Sequence, residues 1–133
     1  MILSKNVNKV IGIESVKSSV DAGNITIKEN NIQHVNLLHG KVEKLLPNIL
    51  KTEKIEAIIF DPPRKGIEQK ALYSTVKNNI KKIVYISCNP ATFARDCKFL
   101  VENGYHLEKV GAVDMFPQTN HIEVVGVLTK SLK

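Results

Sequence analysis

Short apolar runs alternate with segments of helical period along nearly the whole chain, and this alternation limits the fold more than any other feature. The apolar runs predict strands over 9–14, 35–38, 55–60, 82–87, 105–113 and 122–129. The segments between them predict helices over 15–30, 41–50, 67–79 and 90–102. Strands that alternate with helices form parallel sheets with helices on both faces. The predicted fold class is therefore α/β, with one domain, or part of one, over residues 1–133.

The same pattern predicts what is buried. The runs at 55–60 and 82–87 are almost continuously apolar and predict buried strands. The helix positions predicted to face inward are Val16, Val20 and Ile27 in the first helix and Ala71, Leu72 and Val76 in the third. Residues 114–121 join the last two strands without a helix. These strands are therefore predicted to form an antiparallel pair at the sheet edge.

The net charge, the cysteine spacing and the lengths of the apolar runs indicate which classes of protein fit the sequence. The net charge of +6 is compatible with a polyanionic partner such as RNA, and equally with a set of solvated lysines. The two cysteines, Cys88 and Cys97, lie nine residues apart, which is not the spacing of a metal site. No apolar run approaches the ~18 residues that a membrane-spanning helix needs. We therefore expect a cytoplasmic protein with reduced thiols, no bound metal and no membrane span.

Cys88 lies between a predicted buried strand and the start of the helix that follows it. The positive end of a helix dipole favours the thiolate, which is the form that attacks. The other interpretation is a small buried core residue, the usual fate of a free cysteine. Cys97 fits that second interpretation, because its spacing places it on one helical face with Phe93, Leu100 and Val101.

Carboxylates follow other predicted strands. Asp61 ends an apolar run, and Pro62 and Pro63 then impose a rigid, extended turn that could hold it beside a substrate or merely let it cap the turn. Glu123 lies at the start of the last strand and shares a face with His121. A carboxylate there could act as a base against an apolar wall, or be a solvated surface residue. Glu14 ends the first strand, where nucleotide-binding sheets often carry an acid for ribose hydroxyls. Because ligands bind at the carboxyl ends of such strands, these groups are predicted to meet at one edge.

Three strings of residues resemble, in order and spacing, those of RNA (uracil-5-)-methyltransferases, which form 5-methyluridine in transfer RNA and 23S ribosomal RNA. The strings are Asp-Pro-Pro-Arg-Lys-Gly at 61–66, Tyr-Ile-Ser-Cys-Asn-Pro-Ala-Thr-Phe-Ala-Arg-Asp at 85–96 and Asp-Met-Phe-Pro-Gln-Thr-Asn-His-Ile-Glu at 114–123. The last two are long and specific, and the resemblance covers nearly the whole chain. It implies a Rossmann-like fold, S-adenosyl-L-methionine as cofactor, and 23S rRNA or tRNA as partner in rRNA processing or tRNA methylation.

The resemblance also implies roles for individual residues. Cys88 matches the nucleophile and Glu123 the general base. Asp61 matches an acid beside the target base and the cofactor. Arg64 and His121 are expected to contact the RNA substrate, and Glu14 is expected to bind the ribose of the cofactor. No metal is implied.

One departure from the family pattern concerns the N-terminal side. The family has a Gly-rich turn after its first sheet strand, and no residues before Glu14 supply it. We therefore expect this chain to be the C-terminal part of the catalytic domain and to be unable to methylate by itself. The absent strand would lie between the strands at 9–14 and 55–60, so we also expect self-association through unpaired edges, or direct pairing of those two strands.

Three other functions fit parts of the sequence. A methyltransferase acting on exocyclic nitrogens would carry an aromatic residue where Arg64 stands, and it leaves Cys88 without a role. A cysteine hydrolase using Cys88 and His121 leaves Asp61 and Glu14 unexplained. A non-catalytic interaction fragment remains open, and an alanine at Cys88 distinguishes it from an enzyme.

Overall fold

The computed structural model describes residues 6–114, 118 and 122–131. Six strands and four helices are found in this part of the chain. In chain order they are β1 (Val10–Glu14), α1 (Lys17–Glu29), β2 (Val35–His39), α2 (Val42–Thr52), β3 (Ala57–Phe60), α3 (Gln69–Lys77), β4 (Lys82–Ser87), α4 (Pro90–Glu102), β5 (Tyr105–Val113) and β6 (Glu123–Lys130). The predicted mixed α/β class is confirmed.

The chain divides into two compact units, Met1–Asn48 and Ile49–Lys133. In the first unit, β1 and β2 pair in parallel, from Val10 opposite Val35 to Glu14 opposite His39. Leu37 on β2 packs against two glycines, Gly12 on β1 and Gly23 on α1. A Cβ atom would lie 2.6 Å from a Leu37 methyl group at Gly12 and 2.4 Å at Gly23. These glycines therefore let α1 approach the strands closely.

The second unit contains a four-stranded sheet in the order β3-β4-β6-β5. β3 and β4 are parallel, whereas β6 runs antiparallel to both β4 and β5. The predicted antiparallel pair of last strands is therefore confirmed, but only β5 lies at the edge. β6 lies inside the sheet, and its residues alternate between half-buried and buried positions.

The core of the second unit is built on β4, α4 and β6. Ile83, Tyr85, Leu100 and Leu128 are all essentially inaccessible to solvent. The Tyr105 hydroxyl donates to the carbonyl of Ile80 at 2.8 Å, which satisfies a polar group in the same core. Burial raises the pKa of Tyr105 to about 12.

Several helix predictions are confirmed and two are wrong. Ala71, Leu72 and Val20 are buried as predicted. Val16 is not part of the inward face, because it occupies the extended position before α1 and is 51% exposed. Val101 is 48% exposed, because the buried face of α4 runs through Asp96 instead.

The strand predicted at 55–60 is confirmed, but its predicted start and burial are wrong. β3 begins only at Ala57, and Ile59 is 50% exposed. Among the described strands, β3 pairs with β4 alone, so it forms one edge of its sheet. β1 and β3 belong to different sheets, so the expected direct pairing of these two strands is not found within the described residues. That both units form one domain stays a prediction. No helix among the described residues has the length and apolarity needed to cross a membrane.

Candidate active site

Cys88 occupies the short connection between β4 and α4, as predicted. Asn89, the next residue, is the N-cap of α4, and its side-chain oxygen accepts from the backbone N–H of Ala91 at 3.0 Å. Cys88 is half-buried and not in a disulfide. Cys97 differs from it as the sequence predicted, because it is only 5% exposed. Burial, with a smaller contribution from Asp96, raises the pKa of the Cys97 thiol to about 11.

Glu123 is the first residue of β6 and lies next to the Cys88 connection. In the β4–β6 ladder, Ser87 is opposite Val124. Continuing this register by one residue sets Cys88 opposite Glu123. On the other side of β6, Glu123 is opposite Val113 at the end of β5. The sheet topology thus brings the thiol and the carboxylate to the same end of two neighbouring strands.

Asp61 follows β3 directly, so it lies at the carboxyl end of that strand, at the same end of the sheet as Cys88 and Glu123. A cavity of about 340 Å³ opens there and is lined by Asp61, Ile86, Val113, Glu123 and Val125. Its walls therefore combine two carboxylates with three aliphatic side chains. An apolar pocket with a few convergent polar groups is the usual form of a small-molecule or base-binding site.

Of the other two residues predicted to bind the substrate, Arg64 and His121, the structure describes only Arg64. Arg64 is exposed, and its backbone carbonyl accepts from the Asn89 side-chain amide at 3.0 Å. The contact of Arg64 with RNA stays a prediction. His121 lies outside the described residues.

Glu14 belongs to the first unit and ends β1, as predicted. Its Oε1 atom accepts from the backbone N–H of Val16 at 2.7 Å and from the Ser15 hydroxyl at 3.2 Å. The Val16 bond is the main reason that the pKa of the Glu14 carboxyl lies below its usual value. Glu14 is therefore an ionised, exposed acceptor at a strand end. Its expected proximity to Asp61 and Cys88 stays a prediction.

The sequence interpretation missed a buried carboxylate next to this site. Asp96, on α4, is only 2% exposed. It accepts from the backbone N–H of Ile67 and from the Tyr85 hydroxyl, each at 2.8 Å, and it pairs with Arg95 at 2.7 Å. Burial and the Asp96 bond raise the pKa of Tyr85. The signal was available, since Asp96 has helical spacing with Phe93 and Leu100 on the buried face.

The described ranges contain no group of three or more His, Cys, Asp or Glu side chains that could hold a metal ion.

Solved structures show the class of the fold. The chain is similar to the tRNA (uracil-54, C5)-methyltransferase of Pyrococcus abyssi, solved in complex with S-adenosyl-L-homocysteine, with 30% identity and a TM-score of 0.78 over 96% of this chain and 30% of that one. An rRNA methylase of Streptococcus thermophilus shares the fold alone, with 12% identity and a TM-score of 0.68 over 93% of this chain and 74% of that one. The fold is that of the Rossmann-like S-adenosylmethionine-dependent methyltransferases.

Sequence comparison gives the family. The family model described as tRNA (Uracil-5-)-methyltransferase matches residues 1–131. An uncharacterized RNA methyltransferase of Fusobacterium nucleatum is 50% identical over 99% of this chain, and one of Caldanaerobacter subterraneus is 41% identical over 98%. The chain belongs to the tRNA (uracil-5-)-methyltransferase family. It spans 29% of the length of each of these two relatives.

Proposed function

We propose that this chain carries the nucleophile and the general base of an enzyme that methylates carbon 5 of uracil in RNA. The observation that supports this most directly is the β4–β6 register, which sets Cys88 opposite Glu123 when continued by one residue. The adjoining cavity, with Asp61 on its wall and aliphatic side chains around it, suits a flat pyrimidine that has left its stack.

The chemistry needs a nucleophile because carbon 5 of uracil is itself a poor one. The Cys88 thiolate forms a bond to carbon 6, and the electron pair of the 5,6 double bond moves to give an enolate whose carbon 5 is nucleophilic. After carbon 5 has been methylated, Glu123 removes its proton. The resulting electron pair re-forms the double bond and breaks the bond between carbon 6 and sulfur, which returns the thiolate.

S-Adenosyl-L-methionine is the methyl donor we propose, and when bound it supplies an electrophilic sulfonium methyl group. Glu14 suits the ribose of this cofactor, because it is exposed at the end of β1 and its carboxyl has a lowered pKa. An ionised carboxylate is a strong acceptor for the hydrogen bonds that ribose hydroxyls donate. Asp61 is the second residue we propose beside the cofactor.

RNA is the proposed partner, either tRNA or 23S rRNA, with 5-methyluridine as product and the cytoplasm as compartment. The net charge of +6 favours association with a polyanion. Arg64 and His121 are the residues we propose to contact the substrate. Extruding the target base costs a few kcal/mol and is easiest in a single-stranded loop.

A mechanism-based trap tests this proposal. A base cannot remove fluorine from carbon 5 as it removes a proton, so RNA that contains 5-fluorouridine should remain covalently attached to the nucleophile. We expect a protein of the relatives' full length that carries this chain to form this adduct with the cofactor present, as detected by mass spectrometry.

The two cysteines provide the matched control for this trap. Cys88→Ala should abolish the adduct, and Cys97→Ala should leave it intact. An adduct that survives Cys88→Ala would show that another residue is the nucleophile, and it would refute the proposal. For this chain alone, we propose that a methyl-transfer assay gives no turnover above the Cys88→Ala background.

We also propose that this chain self-associates in solution through the edge of β3. This strand has one partner among the described strands, and Ile59 is half exposed on it. Edges of this kind are templates for pairing with another chain.

A further inference from the structure

The segment 61–66 contains neither helix nor strand, yet it carries Asp61 into the cavity wall. Pro62 and Pro63 have no N–H groups, so this segment has few donors of its own. One internal bond joins the Gly66 N–H to the Pro63 carbonyl at 2.9 Å. Donors from outside the segment bind two of its other carbonyl groups.

Those donors come from α4 and its cap. The Arg64 carbonyl accepts from the Asn89 side-chain nitrogen at 3.0 Å and lies 3.1 Å from the Thr92 hydroxyl. The Lys65 carbonyl accepts from the Arg95 guanidinium at 3.0 Å. The neighbouring carbonyls of Arg64 and Lys65 thus accept hydrogen bonds from side chains of residues 89–95, the stretch of chain that directly follows Cys88.

The segment and α4 also pack closely against each other at Gly66. Gly66 has φ of +85°, a conformation that favours glycine. A Cβ atom at Gly66 would lie 2.5 Å from an Arg95 nitrogen and 2.6 Å from an Asp96 oxygen. The segment and the first turns of α4 therefore fit together without room for a side chain at this point.

Asn89 is the residue in which these contacts meet. Its side-chain oxygen accepts from Ala91 N–H at 3.0 Å, and its side-chain nitrogen donates to the Arg64 carbonyl. Its backbone N–H donates to the Ser87 hydroxyl at 3.1 Å, on the other side of Cys88. The orientation of the amide is fixed, because one partner is a donor and the other an acceptor. One side chain therefore caps α4 and ties the Asp61 segment to it.

We propose that Asn89 is a positioning residue, which sets Asp61 relative to Cys88 by holding the Arg64 carbonyl at the start of α4. The restraint reaches Asp61 because only two prolines, each with a fixed φ, separate it from Arg64. This inference rests on the proposed function, in which both residues face the same uracil ring. A residue that only stabilised α4 would need the cap bond and not the bond to Arg64.

Asn89→Ser separates these two roles. Serine is a good N-cap, so α4 keeps its cap, but the side chain is too short to reach the Arg64 carbonyl. In this chain, we expect amide exchange at Gly66 and Ile67 to accelerate by about tenfold, the size of effect that one lost hydrogen bond produces. The melting temperature should stay within about 2 °C of the parent value.

The functional readout is the fluorouridine adduct in the full-length protein. Asn89→Ser should slow adduct formation at saturating RNA by about tenfold, because misplacing a reacting group costs rate even when binding is intact. The RNA concentration that gives half the maximal rate should not change. Asn103→Ser is the matched control, since Asn103 ends the same helix and donates to the Phe99 carbonyl at 2.8 Å. It should leave both the exchange at Gly66 and Ile67 and the adduct rate unchanged.

Several results would overturn the inference. One is parent-like exchange at Gly66 and Ile67 in Asn89→Ser, and another is faster exchange with a parent-like adduct rate. If Asn89→Ser does not fold, Thr92→Val removes a hydroxyl that lies 3.1 Å from both the Arg64 and the Asn89 carbonyls, and it should move both readouts in the same direction, by about threefold. A parent protein that forms no adduct refutes the proposed function instead, and the exchange data then still decide whether Asn89 holds the segment.

Discussion

At the residue scale, the burial of Cys97 makes the stability of the protein depend on pH. Cys97 is buried on α4, and its pKa rises from 9.0 to about 11. The native state therefore keeps a proton between these pH values that the unfolded chain has lost. Stability from this group is complete below pH 9.0 and falls as the pH rises towards 11.

Replacing Cys97 should remove that part of the pH dependence. We expect the stability difference between Cys97→Ala and the parent protein to shift in favour of the variant by about 1–2 kcal/mol between pH 8 and pH 10.5. Urea denaturation at both pH values measures it. Cys88→Ala is the matched control. A difference that stays constant with pH would show that the Cys97 thiol is not desolvated.

The positions of the proposed site residues at strand ends were predictable because their residue types are unusual there. Cys88, Asp61 and Glu123 each stand beside an apolar run, and the topology of an α/β sheet gathers such positions. The hydrogen bonds around Asn89 and Asp96 were not predictable in the same way. They join residues about 25–30 positions apart, through contacts that no local pattern encodes.

At the element scale, the bounds of β4, α4 and β5 were predicted correctly, whereas β3 was not. The first group has clear signals, such as Pro90 at the start of α4 and Asn103-Gly104 after its end. The run at 55–60 is just as apolar as β4, but the burial of a strand depends on its neighbours. β3 has one strand partner among the described residues, and Ile59 in it stays half exposed.

The attachment of α4 to the sheet should depend strongly on Asp96. Asp96→Ala leaves the Tyr85 hydroxyl and the Ile67 N–H without their acceptor in a buried setting. We expect the free energy of unfolding to fall by about 3 kcal/mol, measured by urea denaturation. Glu102→Ala removes a carboxylate from the same helix, where it makes a 3.8 Å ion pair with Lys98 on the surface. It should cost less than about 0.5 kcal/mol. Equal losses in the two variants would contradict a special role for Asp96.

At the scale of the whole molecule, the chain divides into two compact units, and each unit contains some of the proposed site residues. Cys88, Glu123 and the cavity all belong to Ile49–Lys133, whereas Glu14 belongs to Met1–Asn48. The proposed nucleophile and base can therefore be tested separately from the proposed cofactor contact. Glu14→Ala should therefore lower the affinity for the cofactor. It should leave the arrangement of Cys88 and Glu123 in the second unit unchanged.

The edge of β3 determines the assembly that we expect. The backbone groups on its outer side can pair with the same strand of a second copy, and Ile59, 50% exposed, would be covered in that arrangement. Sedimentation velocity should therefore show a concentration-dependent increase in mass. Ile59→Lys should return the chain to a monomer, because a charge on an edge strand opposes pairing. Val110→Lys, on β5 and 60% exposed, places the same charge on the other edge of the sheet. If Val110→Lys alone dissociates the assembly, the contact lies at β5. A parent chain that is monomeric at all concentrations would refute self-association, and the exposure of Ile59 would then reflect only its place on an edge strand.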